Sequence, residues 1–218
     1  MRKSETTSET ISQTIYAVGD LLAPRELAAM GGEAVTVPDP ERLVHVQFRR
    51  FAGCPVCNLH LRAVVGRAGE IEAAGVREVV LFHSTEHELR KYAAELPFAV
   101  VGDPEKKLYR EFGVESSVRA ALDPRAWPAV VRGVATSMWG AVRRRNRLAP
   151  VAPNGGQLGL PADFLVAPDG RLVAVKYGEH AYDQWSVDEL LAHARAAGDS
   201  PAEPPAETPV SAPVDTVP

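Results

Sequence analysis

The chain has two cysteines, Cys54 and Cys57, in the run Cys54-Pro55-Val56-Cys57. Their position between two different periodicities constrains the fold more than any other feature. Before them, Val44, Val46 and Phe48 alternate with His45, Gln47 and Arg49, the period-2 pattern of a strand. After them, Cys57, Leu61, Val64, Val65, Ala68 and Ile71 recur at three and four, which predicts a helix. The pair therefore marks a strand-to-helix junction. Unpaired N–H groups and the helix dipole at such a junction favour the thiolate, the nucleophilic form. A second thiol one turn on can close a disulfide ring. The expectation is thiol redox chemistry, with Cys54 accessible and its pKa lowered. Two other fates stand beside it. One is an inert buried pair. The other is a metal site extended by His60 as C-x2-C-x2-H, with His83 and His87 as further donors, although the gap from Cys57 to His83 is about twice that of an ordinary zinc finger. Haem attachment is excluded, because Asn58 stands where C-x-x-C-H requires histidine.

The rest of the chain alternates strand and helix patterns. Residues 76–82 read as a short buried strand, Thr85 and Glu88 as a capping box opening a helix, and residues 98–101 as another strand. A helix follows over 105–112, stopped by Gly113. Residues 162–167 and 171–177, joined by Pro168-Asp169-Gly170, form a hairpin. Ser186 and Glu189 cap a last helix running to about residue 197. Ahead of the junction, residues 16–37 contain Gly19, Pro24 and Gly31-Gly32 and predict a hairpin laid on the core. This order predicts an α/β fold: a central mixed sheet, parallel in its core with an antiparallel edge, flanked by helices.

One stretch stands outside the alternation. Residues 118–147 hold seven arginines (Arg119, Arg125, Arg132, Arg143, Arg144, Arg145, Arg147) against one acid, Asp123. Trp127, Val130, Val131, Val134, Met138, Ala141 and Val142 recur at helical spacing, so Asp123 with Pro124 at the first position predicts the start of an amphipathic helix. The expectation is a helix packed on the core with a solvated arginine end. The other readings are contact with an anionic membrane surface or partner, and a lid over the cysteines.

At 218 residues and 45% apolar content, this is one domain with appendages. Residues 1–14 form an expected disordered arm, 15–198 the domain with its helical insertion at about 118–147, and 199–218 a disordered Pro-rich tail. The net charge of −4 gives no global reason to bind nucleic acid. No run approaches the roughly 18 apolar residues of a membrane helix, and no apolar region follows Arg2 and Lys3 as a secretory signal requires. The expected location is the cytoplasm, where a disulfide is more often catalytic than structural.

The CxxC after the first core strand, with the terminal hairpin and helix, resembles the thioredoxin fold, and more closely its peroxiredoxin-like (AhpC/TSA antioxidant) branch. Three stretches carry the resemblance: Val18-Gly19-Asp20-Leu21-Leu22-Ala23-Pro24, residues 48–61 around the cysteines, and residues 160–170. The segment with Asp103-Pro104, Tyr109 and Phe112-Gly113 adds to it. The resemblance implies a thiol–disulfide oxidoreductase in which Cys54 attacks a disulfide or peroxide and Cys57 resolves the product. A thioredoxin-type protein or small thiol would then reduce the pair, and no bound cofactor is implied. It also implies that Pro161, after Leu160, forms a cis-proline loop facing the CxxC. The family's Pro-x-x-x-Thr/Ser-x-x-Cys is replaced here by Gln47 and Phe51 before Cys54, and Pro161-Ala162 stand where the family has an arginine. Slow reaction with peroxide is therefore expected. Arg49 or Arg50 is the candidate for the missing positive charge, and His60 and His83 are candidate supporting residues. The alternative to an enzyme is a redox sensor or binding module of the same fold.

Overall fold

A computed structural model describes residues 14–114, 124–142 and 159–199. Its elements are β1 (Arg25–Ala28), β2 (Ala34–Val37), β3 (Leu43–Arg49), α1 (Pro55–Gly66), α2 (Ala68–Ala73), β4 (Val76–Phe82), α3 (Glu86–Tyr92), β5 (Ala99–Gly102), α4 (Lys107–Glu111), α5 (Trp127–Val142), β6 (Ala162–Val166), β7 (Leu172–Tyr177) and α6 (Val187–Asp199). Apart from Thr14, whose N–H bonds the Glu111 carbonyl at 3.2 Å, and Asp199, which ends α6, the terminal arm and the tail expected from the sequence lie outside the described residues, as do the Arg143–Arg147 cluster, Arg119 and Asp123.

Five strands form the central sheet in the order β5-β4-β3-β6-β7. β3, β4 and β5 run parallel, while β6 pairs antiparallel with β3 and β7 with β6. Parallel neighbours need crossovers, and α1–α2 and α3 supply them. β1 and β2 form the expected separate hairpin. Leu27, Val35 and Val37 drive it onto one face of the sheet, against Val46, Phe48, Phe164 and Phe112. Both predicted capping boxes form: Thr85 Oγ1 accepts from Glu88 N–H at 3.4 Å, and Ser186 Oγ from Glu189 N–H at 3.2 Å.

The alternation along β3 survives in the structure, with a change of meaning. Val44, Val46 and Phe48 enter the core beneath the hairpin. His45, Gln47 and Arg49 point the other way and are equally buried, because helices cover that face too. Their polar groups find partners on other strands. Arg49 Nη2 donates to Asp163 Oδ1 at 2.6 Å and to Gln47 Oε1 at 2.6 Å. His45 bridges Asp163 Oδ1 at 3.1 Å and Glu78 Oε2 at 2.9 Å, and the Gln47 amide donates to Glu78. Trp185 N–H takes the second Asp163 oxygen at 3.1 Å. Two cations thus neutralise two carboxylates, as burial of charge demands. Burial opposes the charge on His45, but Glu78 and Asp163 outweigh it and raise its pKa to about 9.

The insertion helix departs from expectation in which face it buries. α5 packs against α1 through Ala129, Val130 and Gly133, while Trp127, Val131, Val134, Met138 and Trp139 are exposed, the two tryptophans at 62% and 61%. The predicted apolar stripe is therefore mostly on the outside. A Cβ at Gly133 would come within 2.8 Å of the Pro55 carbonyl oxygen and 3.2 Å of the Val56 nitrogen. Only a residue without a side chain brings the two helices this close, and that selects the face. Among the described residues, no helix is long and apolar enough to cross a membrane.

Candidate active site

The dithiol is built by the β3–α1 turn. Gly53, at φ 85°, turns the chain into α1 in a conformation that a side chain disfavours. Cys54 is the N-cap residue of α1, with Pro55 at the first helical position, where its missing N–H costs nothing. Cys57 lies one turn inside. Both sulfurs are free thiols.

Contrary to the expectation for Cys54, neither cysteine is accessible. Cys54 is 1% and Cys57 3% exposed. They form a small apolar cluster with Phe51 and Val56, and Val130 of α5 and Tyr182 pack against it. α5 crosses directly over the peptide between the two cysteines, which is the physical reason for their burial.

Arg50, rather than Arg49, is the cation in contact with a thiol at this site. Arg50 Nη2 donates to Cys54 Sγ at 3.1 Å, whereas Arg49 is hydrogen-bonded to Asp163 and Gln47 beneath α1 and adds only a smaller, indirect field at Cys57. Burial pushes the Cys54 thiol up, reinforced by the neighbouring Cys57 sulfur. The Cys54 thiol's hydrogen bond to Cys57, opposed by burial and aided by the Arg50 guanidinium, brings Cys57 down to about 6. Of the two sulfurs beside Arg50, Cys57 is therefore the more acidic. This reverses the lowered pKa expected at Cys54. The N-cap sulfur is too deeply covered for the helix terminus alone to decide the matter.

The histidines differ from each other. His60 is buried, with Nε2 3.2 Å from Arg49 Nη2. Burial and the Arg49 charge lower its pKa to about 3, so it is neither a surface histidine nor a cation beside the thiols. His83 follows β4 at the sheet end that carries the dithiol, and its backbone N–H bonds the Arg50 carbonyl at 3.1 Å. Its ring is 0% exposed, and burial, with Lys106 and Arg50 nearby, lowers its pKa to about 4. Among the described residues, no three His, Cys, Asp or Glu side chains converge as a metal site. His87 is exposed on α3.

Pro161 is buried at the start of β6, and its carbonyl accepts Gly178 N–H at 2.9 Å. The expected cis bond at Leu160–Pro161 is not present; the cis bond among the described residues is Val37–Pro38. Pairing with the end of β7 draws Pro161 into an extended lead-in to the strand. The loop still reaches the site through Gly159, where a Cβ would lie 3.3 Å from His83 Nε2 and 3.4 Å from Arg50 Cγ. Sequence reasoning had not singled out Gly159, Gly133 or Asp163 as site residues. A glycine inside an apolar helical pattern was the available signal for Gly133. Asp163, the one acid in an otherwise apolar strand, was the signal for the buried network.

A parallel-cored sheet with a dithiol at the N-terminus of the helix after its central strand defines a thioredoxin-like protein. The chain belongs to the AhpC/TSA antioxidant enzyme family, whose model matches residues 65–180, more than half of its length. The dithiol lies before that matched stretch. Among solved structures, the chain is similar to peroxidoxin BcpB from Mycobacterium tuberculosis (TM-score 0.58, 17% identity, covering 82% of this chain and 96% of that one). It is also similar to Mycobacterium tuberculosis AhpC (TM-score 0.58, 15% identity, 85% and 95% covered). A third similar structure is a protein from Chlorobium tepidum assigned as the thiol:disulfide interchange protein DsbE (TM-score 0.53, 17% identity, 83% and 99% covered). At these identities the likeness is one of fold. A search of curated proteins finds no match.

Proposed function

We propose that this protein is a thiol–disulfide oxidoreductase working through Cys54 and Cys57, with hydroperoxides among its oxidants. The observation that carries the reading is the Arg50 guanidinium 3.1 Å from the Cys54 sulfur, in a CxxC pair at a helix N-terminus. Cys54, the sulfur Arg50 touches, takes the charge as its proton moves to Cys57, and attacks. On a disulfide it forms a mixed disulfide; on a peroxide it forms a sulfenic acid. Cys57 then closes the Cys54–Cys57 disulfide. A thioredoxin-type protein or a small thiol returns two electrons, and the cytoplasm is the compartment that suits this cycle.

Turnover tests it. The protein with a dithiol reductant should consume hydrogen peroxide or a small disulfide catalytically. Cys54→Ser should abolish turnover, and Cys57→Ser should leave adducts trapped on Cys54. Undiminished turnover in the Cys54→Ser, Cys57→Ser double variant would place the chemistry elsewhere.

The burial of both thiols under α5 supports a second reading, a redox switch in which disulfide formation shifts α5 and exposes a binding face. Such a module oxidises once and stoichiometrically, without catalytic consumption of oxidant.

A further inference from the structure

α5 has two faces with different neighbours. One face, through Ala129, Val130 and Gly133, packs on α1 and on the cysteine cluster. The other carries Trp127, Val131, Val134 and Met138, all exposed. These four are spaced four, three and four apart and so form one stripe along the helix. The charge on this stretch is equally one-sided. Of the chain's 24 basic and 28 acidic residues, residues 124–147 hold six of the former, all arginine, and none of the latter. Arg125 lies 3.0 Å from Glu179, which balances one of the six and leaves the segment strongly positive. The net charge of −4 thus conceals a cationic, apolar-edged helix on an otherwise acidic protein.

We propose that the exposed face of α5 is a docking surface for an anionic phospholipid bilayer, with the helix lying flat in the interface. Charge selects this occupant first. A bilayer of acidic phospholipids attracts basic segments, and a guanidinium pairs with phosphate oxygens through a fixed fork of donors that a lysine lacks. The stripe selects it further. Val131, Val134 and Met138 gain by leaving water for acyl chains, whereas a nucleic acid offers such side chains no apolar phase. A second copy docked through the same face would bring two sets of arginines together, and like charges oppose that pairing. Trp127 and Trp139 are exposed near the two ends of α5, where indole rings suit the headgroup level. With 16 residues, α5 lies along a bilayer rather than across it.

Docking has a geometric consequence. Val130, on the opposite face, packs against the cluster that holds Cys54 and Cys57. A helix is about 10 Å across, so the docked protein carries its dithiol about one helix diameter from the headgroups. Docking itself requires no chemistry of the thiols.

The test mixes the reduced full-length protein with vesicles of phosphatidylcholine containing phosphatidylglycerol at a ratio of about two to one, and with vesicles of phosphatidylcholine alone. Binding is read by cosedimentation and by tryptophan emission. Of three tryptophans, Trp185 is buried, so a blue shift reports the pair on α5. Binding to the anionic vesicles with a blue shift is expected at about 0.1 M salt. It should weaken at least about tenfold at about 1 M, where the screening length falls from about 10 Å to about 3 Å, and as much on phosphatidylcholine alone. Val131→Gln with Met138→Gln, at two exposed positions, should weaken binding at least about tenfold. Replacing Arg143, Arg144, Arg145 and Arg147 by Gln should weaken it at least about 100-fold, at roughly fivefold per arginine. An unchanged urea midpoint shows that each variant is folded. Absence of binding to the anionic vesicles overturns the proposal. So does binding that the folded Val131→Gln, Met138→Gln variant leaves unchanged, since charge attraction alone would then hold the protein. Binding to polyglutamate or single-stranded nucleic acid without binding to vesicles overturns it in favour of a polyanionic macromolecule.

Discussion

Gly133 rests on Pro55: a side-chain carbon at 133 would lie 2.8 Å from the Pro55 carbonyl oxygen. The contact joins the insertion helix to the middle of the CxxC, so displacing α5 should uncover the sulfurs. Gly133→Ala gains about 1 kcal/mol of helix propensity but meets overpacking against backbone of about 1–3 kcal/mol. The expected net is a small loss of stability with α5 displaced. Alkylation of the buried thiols should accelerate roughly tenfold for each 1.4 kcal/mol by which the closed state is weakened. Alkylation rate and urea midpoint, measured on the same preparation, check both halves.

Arg50→Gln removes the cation facing the thiol pair. An opposite charge at this range lowers a pKa, so its loss should move the first thiol titration from about 6 upward toward the ordinary value of about 8.5. Thiolate ultraviolet absorbance against pH reads the shift directly. Arg49→Gln should move the titration upward by less, because Arg49 is paired with Asp163 and contributes less than Arg50 at Cys57.

Stability should peak near neutrality in a Cys54→Ser, Cys57→Ser background, where the thiols no longer titrate. His45 is raised to about 9; its contribution is complete below the unfolded pKa of about 6.5 and is lost as pH rises through 9. His60 and His83 are lowered to about 3 and 4. Their contributions are present above about 6.5 and are lost as pH falls toward those values. Denaturant midpoints from pH 5 to 9 should therefore trace a dome. His45→Gln should flatten its alkaline side and His83→Gln its acid side.

The fold was legible because its signals are local. The period-2 run into β3, the glycine-preceded cysteines, both capping boxes and the final hairpin each depend on residues close in sequence. What was not legible depends on distant partners. Nothing within residues 43–49 reveals that the polar face of β3 is buried, because its counter-charges Glu78 and Asp163 come from β4 and β6. Arg49 and Arg50 are adjacent in sequence, and only the strand's twofold alternation, read with Asp163 in place, sends one to the network and the other to the thiols. On α5, apolar residues surround the helix so fully that the 3.6 repeat fits either face. The burial of His60 was legible, since it shares a helical face with Cys57, Leu61 and Val64, all buried.

Asp163 holds Arg49, His45 and the Trp185 N–H together. Asp163→Asn leaves buried cations without their counter-charge and should cost about 3–5 kcal/mol, read as a shift in urea midpoint at constant m-value. Pairing Asp163→Leu with Arg49→Met removes both members of that ion pair, and this double variant should be less destabilised than Asp163→Asn.

The proposed chemistry turns on Cys54 and Cys57 being a redox couple. The most direct measurement equilibrates the protein with thiol–disulfide buffers of graded potential, alkylates the remaining thiols and counts them by mass. A redox couple should show a single two-electron transition to an intramolecular Cys54–Cys57 disulfide, at a potential between about −270 and −120 mV, the span of CxxC oxidoreductases. Thiols that stay reduced across that range, or that oxidise only into intermolecular dimers, would contradict it.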